Sequence, residues 1–346
     1  MKIGALISGS GPAGIWGPSS VACAMLASAE LNAAGGLFGK PIELIVADPG
    51  WTAREASEAS GHLVDVDEVD AVIGMHPSNI RQAVKRRLRG EIPYIYTPQY
   101  EGGETAAGTV AIGGTDAELL RPILPWFTET RRAKRLCLLA NDYVWPRRAV
   151  ETSRRIAQSS GATILAELVV DFGTEDYAPV LDEIRRLRPD LVVMFLLGEE
   201  MVRFNRAFAA AGLAAGILRL GFGLDVNVLY GIGADAAENL YSATTWTPAF
   251  RSRSGGRLLE LYHDGFGEGA PAVSVFGQSC YEGVHLAARL ALEAGRAHPA
   301  ALVRALAKRA RRCDLRALLP ETMFAPQQPI LLARAEGLDF EIVVSF

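Results

Sequence analysis

The sequence predicts an α/β fold built as two lobes, each a doubly wound parallel sheet, and three observations predict it. Apolar runs of strand length alternate with longer helical patterns along the chain, which is the βαβ rhythm. The runs read as solid Val, Ile and Leu rather than as apolar alternating with polar, the mark of strands covered by helices on both faces. The rhythm restarts at 135–140 after a long helical stretch and carries more units than one sheet needs, so a second sheet begins there. A chain of 346 residues can bury two cores of ordinary size.

The elements follow in order. Strand 3–8 leads to a helix from about 19 to 33, placed after Gly17-Pro18 because Ser19 and Ser20 are good cap residues. Strand 42–47, a helix over 52–66 and strand 71–74 come next, then a helix near 80–89, strand 94–96 and an amphipathic helix over 116–130. The second run opens with strand 135–140, helix 145–159 and strand 163–170, and continues through apolar segments at 190–197, 216–221 and 237–243. Thr247-Pro248 then opens a polar Arg/Ser/Gly segment to Gly256 that reads as a return crossing. Helices at 257–267, 274–293 and 299–310 and short strands near Met323 and over 331–346 finish the chain.

Composition narrows the function. The 35 Lys and Arg nearly balance the 39 Asp and Glu along the whole chain, so there is no basic face of the kind direct DNA or RNA binding uses. No stretch approaches the roughly 20 apolar residues of a membrane span, which argues against membrane insertion. Met1-Lys2 runs straight into apolar 3–7, leaving no room for a leader: the chain is expected in the cytoplasm if Met1 is the natural start, or in the periplasm if a signal peptide has been removed. Cys23, Cys137, Cys280 and Cys313 stand far apart in apolar patterns and read as buried thiols. The histidines, His62, His76 and His263 among them, have no Cys, His or carboxylate partner at ligand spacing, so no metal is expected.

Gly9-Ser10-Gly11-Pro12-Ala13-Gly14 matches G-x-G-x-x-G directly after a strand. A dinucleotide site needs the helix to open inside that motif and an acid about 20 residues on. Gly17-Pro18 interrupts the turn, and Ala33-Ala34-Gly35-Gly36 occupies the acid's place. The loop instead reads as a flexible edge where open α/β sheets place ligand contacts, with Ser10 as a secondary candidate, and no cofactor is expected. Catalysis has little support: there is no G-x-S-x-G elbow and no cysteine at a helix opening with a base, and Asp142 beside Tyr143 is one acid next to one phenol.

The segment Ala29-Glu30-Leu31-Asn32-Ala33-Ala34-Gly35-Gly36-Leu37-Phe38-Gly39-Lys40-Pro41-Ile42 places a glycine helix stop and a Gly-Lys turn before strand two, with Asp48 at that strand's end. This pattern resembles the N-terminal region of type I periplasmic binding proteins, the receptors of branched-chain amino acids, urea and amides. The resemblance implies two lobes joined by a multi-strand hinge, lobe one spanning 1–118 plus 249–325 and lobe two 119–248 plus 326–346, with the ligand cleft between them.

Three further strings are similar to the aliphatic amide receptor that regulates amidase expression and to the urea and short-chain amide receptors of ABC importers. They are Gly74-Met75-His76-Pro77-Ser78-Asn79-Ile80-Arg81, Tyr94-Ile95-Tyr96-Thr97-Pro98-Gln99-Tyr100-Glu101-Gly102, and Asn141-Asp142-Tyr143-Val144-Trp145-Pro146-Arg147. The resemblance makes Ser78 a ligand-contacting serine at a helix start and Tyr143 a contact from the second lobe. A small neutral amide presents one carbonyl acceptor and up to two N–H donors, and needs a few fixed polar groups in an aromatic wall. Ser78, Tyr96, Thr97, Tyr143 and Trp145 are the right types, with helix-start N–H groups as further donors.

Each also has a structural reading: Ser78 as a plain cap, Tyr96 as strand-end packing, Trp145 as core. His76 stands where the amide receptor has a tyrosine, and is either a hydrogen-bonded neutral ring or a pH-sensitive group lining the pocket. An amino-acid ligand would need an acid for its ammonium. Asp225 in Phe222-Gly223-Leu224-Asp225 is at about the right place, with Gly223 beside it, and is equally a helix cap; Glu199-Glu200 is either a second such acid or a solvated helix start. Tyr100, Glu101 and Asp142 are secondary candidates. The run Arg309, Arg311, Arg312, Arg316 is either a solvated helix end or a docking patch, and Phe324-Ala325-Pro326-Gln327 keeps the family's F-x-A-P-Q core.

The function expected is a receptor that closes on a small neutral amide, urea or amino acid. Its partner is expected to be an RNA-binding antiterminator in the cytoplasm or an ABC permease in the periplasm. First-lobe helices pair in many relatives, so a homodimer is a further expectation.

Overall fold

The computed structural model describes residues 1–250, 252–309 and 328–346. The chain forms two compact units: Met1–Pro98 with Gly103–Gly113 and Phe250–Gln328, and Gln99–Gly102 with Gly114–Ala249 and Pro329–Phe346. The division falls at Gly113 rather than at the expected 118, because the helix that follows carries its own cap residue, Thr115, with it.

The first unit is a five-stranded sheet in the order β2-β1-β3-β4-β5, from β1 (Lys2–Ile7), β2 (Glu43–Ala47), β3 (Ala71–Met75), β4 (Tyr94–Tyr96) and β5 (Thr109–Ala111), all parallel. Its described helices are α1 (Gly17–Ala33), α2 (Ala53–Asp65), α3 (Ser78–Leu88), α9 (Arg253–Phe266), α10 (Val275–Ala294) and α11 (Pro299–Lys308). Helix α1 begins two residues before the expected serines, preceded by a 3-10 turn over Gly14–Trp16. Pro18 does not delay it, since a proline's missing N–H costs nothing in a first turn. Helix α10 packs on α1 at close range: a Cβ at Gly277 would lie 2.6 Å from Ser19 Oγ and 2.9 Å from Cys23 Sγ.

The second unit is a seven-stranded sheet in the order β12-β11-β10-β9-β8-β6-β7. Five parallel strands, β6 (Arg135–Asn141), β7 (Thr163–Val170), β8 (Leu191–Phe195), β9 (Leu218–Phe222) and β10 (Leu240–Thr244), continue into the antiparallel pair β11 (Leu331–Glu336) and β12 (Asp339–Ser345). Between them run α4 (Asp116–Thr130), α5 (Val144–Ser159), α6 (Ala178–Leu187), α7 (Gly198–Ala210) and α8 (Val226–Ile232). Helix α4 spans the expected residues because Thr115 and Glu118 form a capping box. Strands β6 and β8 are buried nearly along their whole length, as solid apolar runs require.

No described helix is long and apolar enough to cross a membrane. Cys23, Cys137 and Cys280 are buried free thiols. Arg309 donates to Glu293 at 3.2 Å, whereas Arg311, Arg312, Cys313, Arg316, the strand expected near Met323 and the string at 324–327 lie outside the described residues.

Candidate functional site

Within each unit the candidates collect at the carboxyl ends of parallel strands, the edge where open α/β sheets hold ligands. In the first unit β3 runs out into His76-Pro77-Ser78 and β4 into Thr97. His76 is 2% exposed, with Nδ1 3.2 Å from the Pro77 carbonyl and Nε2 2.9 Å from Tyr94 Oη. A carbonyl can only accept, so Nδ1 carries the proton, Nε2 accepts, and Tyr94 donates. Burial holds the imidazole down at about 4, with the Arg81 charge acting the same way. His76 is therefore neutral with both nitrogens engaged, the arrangement of a hydrogen-bonded neutral ring. Gly74 makes room for this pair, since a Cβ there would come within 2.8 Å of both rings.

The Tyr96 hydroxyl donates to the His76 carbonyl at 2.6 Å, and the Arg81 guanidinium carbon lies 4.6 Å above the Tyr96 ring. Arg81 approaches Glu104 at 3.4 Å and Lys85 bonds the same carboxylate at 2.7 Å; hydrogen bonds from Lys85 and Ala106, with both cationic charges, outweigh burial and lower the Glu104 pKa. Thr97 is fully buried and donates to the Gly74 carbonyl at 3.2 Å, so its hydroxyl serves β3. Ser78 is the first residue of α3, with Pro77 as the cap, and not itself the cap. Ser10, exposed, donates to Asp48 at 2.8 Å.

In the second unit β6 ends in Asn141 and α5 opens at Val144, with Tyr143 as its cap residue. Tyr143 lies 5.2 Å from Phe172 and 6.0 Å from Trp145 between ring centroids; Trp145 meets Phe195 edge-on at 6.2 Å, and Phe195 lies 4.8 Å from Phe222. This is a continuous aromatic row along the ends of β6, β7, β8 and β9. The Trp145 indole N–H donates to both oxygens of Asp116, at 2.9 and 3.1 Å, and Gln99 donates to Asp116 at 3.0 Å.

Asp225 caps α8, accepting from the Val228 N–H at 3.0 Å, and Gly223 supplies the positive φ of 75° that turns the chain out of β9. Glu200 is fully buried rather than solvated: its oxygens accept from the Gly173 N–H and the Tyr177 hydroxyl, both at 2.9 Å. Those bonds tether the loop that carries Phe172. Asp142 is exposed and pairs with Arg147. Tyr100 contributes backbone pairing to Gly114 and Asp116, and the charge of half-exposed Glu101 acts on Asp116.

Sequence reasoning missed Arg81, Tyr94, Asp116 and Phe172. Arg81 and Tyr94 stood inside quoted strings, and an acid at the start of α4 reads simply as a favourable first-turn charge.

The periplasmic binding protein family model matches residues 1–328. The chain belongs to the periplasmic binding protein family. Its fold is the type I fold, and the family is one of ligand-binding proteins rather than enzymes. An ABC transporter substrate-binding protein from Sphaerobacter thermophilus is 25% identical, over 100% of this chain and 97% of that one, with a TM-score of 0.81. The branched-chain amino acid transporter substrate binding protein of Streptococcus pneumoniae, in complex with isoleucine, is 21% identical over 100% and 99%, at 0.83. A solute binding protein of an ABC transporter from R. palustris, in complex with benzoate, is 18% identical over 99% and 95%, at 0.80.

Proposed function

We propose that this periplasmic binding protein is the solute receptor of an ABC importer, working in the periplasm with a permease. The observation that carries the reading is end-to-end similarity to ABC transporter substrate-binding proteins, three of which cover 99% or more of this chain. In this reading Ser78, Tyr96, Tyr143 and Trp145 are the residues proposed to contact the solute. The aromatic row supports a solute with an apolar or flat body, while Ser78 and the Tyr143 phenol are the groups proposed as polar contacts for its head. Asp225 and Glu200 already serve the fold, which weighs against either as a dedicated ammonium partner.

A second reading, an amide-sensing regulator acting through an RNA-binding antiterminator, is carried by the strings at 74–81, 94–102 and 141–147 alone. A thermal-shift panel of isoleucine, leucine, valine, benzoate, acetamide, butyramide and urea separates the two. Ligand that binds only the native state stabilises it by about 2.7 kcal/mol at a hundredfold excess over Kd. A rise with an amino acid or benzoate supports the importer reading. A rise confined to acetamide, butyramide or urea transfers the assignment to amides, and no rise with any member overturns the proposed solute classes.

A further inference from the structure

We propose that Asp116 is a positioning residue: its ionised carboxylate clamps the Trp145 indole, and taking up a proton loosens the clamp and weakens solute binding. The inference deepens the proposed function, since it takes Trp145 as a solute contact. Its ground is geometric. Asp116 is the first residue of α4 and Trp145 lies in the first turn of α5, so one carboxylate ties together two helix starts beside the aromatic row. Two donors converge on it, the Trp145 indole N–H and the Gln99 amide, in a place that is 1% exposed.

An ionised carboxylate accepts both on charged oxygens, whereas a proton on Oδ2 turns the nearer acceptor of the indole N–H into a donor and leaves Oδ1 to serve both the indole and Gln99, so the hold on the indole weakens. The bonds to the ionised form are charge-assisted and about twice as strong as neutral ones. Burial carries the carboxyl up to about 7, the Gln99 and Trp145 bonds oppose that rise, and the Glu101 charge adds to it.

The other charged groups nearby are already engaged. On α4 itself Glu118 is held in the capping box with Thr115. On α5, Arg147 pairs with Asp142 and Arg148 with Glu151. On β10 the Tyr241 hydroxyl accepts from Arg131. Among these groups Glu101 is the charge that acts on Asp116.

The test follows the indole N–H signals of 15N-tryptophan-labelled protein. There are five tryptophans, and the signal missing from Trp145→Phe is that of Trp145. In the parent protein it is expected to shift between pH 8 and 5.5 with a midpoint near 7. In Asp116→Asn it stays fixed. Gln99→Met, which removes one donor from the charged form, moves the midpoint to higher pH and keeps the test decisive if Asp116→Asn folds poorly. Isoleucine, benzoate and butyramide serve as probes, and the tightest binder is expected to lose about tenfold in affinity from pH 8 to 5.5, the scale of one charge-assisted bond. Asp116→Asn is expected to show no such loss.

An indole signal that does not titrate, or titrates equally in Asp116→Asn, overturns the clamp. So does equal pH dependence of affinity in both proteins. Failure of all three probes at pH 8 counts against the proposed solute classes instead, and the indole titration alone then decides the clamp.

Discussion

His76 and Asp116 titrate in overlapping ranges with opposite consequences for stability, and removing either one should expose the other. Between about pH 4 and 6.5 the folded chain keeps His76 neutral, its pKa held at about 4, while the unfolded chain protonates it near the ordinary 6.5. The unfolded state then binds more protons, so this contribution is present above pH 6.5 and is lost as pH falls through 4. For Asp116 the order reverses: the folded carboxyl titrates near 7 and the unfolded one near 3.8. Its contribution is present below 3.8 and is lost as pH rises through 7.

Each slope is about 1.4 kcal/mol per pH unit, so the two cancel over most of that window. Glu30 lies outside it, because bonds from His285, Tyr281 and Arg257 overcome burial and hold it at about 2; its contribution is lost only as pH falls below about 4.5. Urea denaturation of the parent, His76→Asn and Asp116→Asn at pH 4.5, 5.5 and 6.5 tests this, with the shared surface groups dropping out of the differences. Relative to the parent, His76→Asn should lose about 2–3 kcal/mol of stability from pH 4.5 to 6.5 and Asp116→Asn should gain a similar amount. The two groups sit in different units, so if the units unfold separately, two midpoints should move in opposite directions with pH. Differences that are flat with pH, or that share a sign, refute the argument.

Tyr143→Ala removes the ring that joins Phe172 to Trp145 and is expected to raise the Kd of the bound solute about tenfold, equivalent to about 1.4 kcal/mol, with the fold intact; an unchanged Kd by calorimetry counts against Tyr143 as a contact. Glu200→Ala leaves the Gly173 N–H and the Tyr177 hydroxyl without their acceptor, at a cost of about 2–3 kcal/mol. Limited proteolysis should then cut the 171–177 loop faster than in the parent, and an unchanged cleavage rate would show that the tether is dispensable. Gly11→Ala places a Cβ 1.9 Å from the Trp51 indole nitrogen at a φ of 59°, so Trp51 must swing away; a lowered Tm with altered tryptophan emission is expected, and no change in either contradicts the packing.

What the sequence discloses depends on how far apart the cooperating residues lie. Helix α4 is legible to the residue because its cap and its box acid, Thr115 and Glu118, are three positions apart. Strand β5 is not, because three residues over 109–111 make no periodic signal, and the start of α1 is obscured because Gly17-Pro18 looks like a break until Pro18 is seen in the first turn.

The same rule divides the candidate site. Local strings mark Ser78, Tyr96, Tyr143 and Trp145 as suitable contacts, but they do not tell contacts from supports. Tyr94 reaches His76 across 18 residues, Trp145 reaches Asp116 across 29 and Tyr177 reaches Glu200 across 23. Those bonds turn His76, Asp116 and Glu200 into supports, because a buried polar group must be satisfied wherever its partner lies in sequence. The side chains most exposed to misreading are therefore the titratable ones. Each is buried at a strand end where a ligand could use it, and each is already committed to holding an aromatic or a helix start in place.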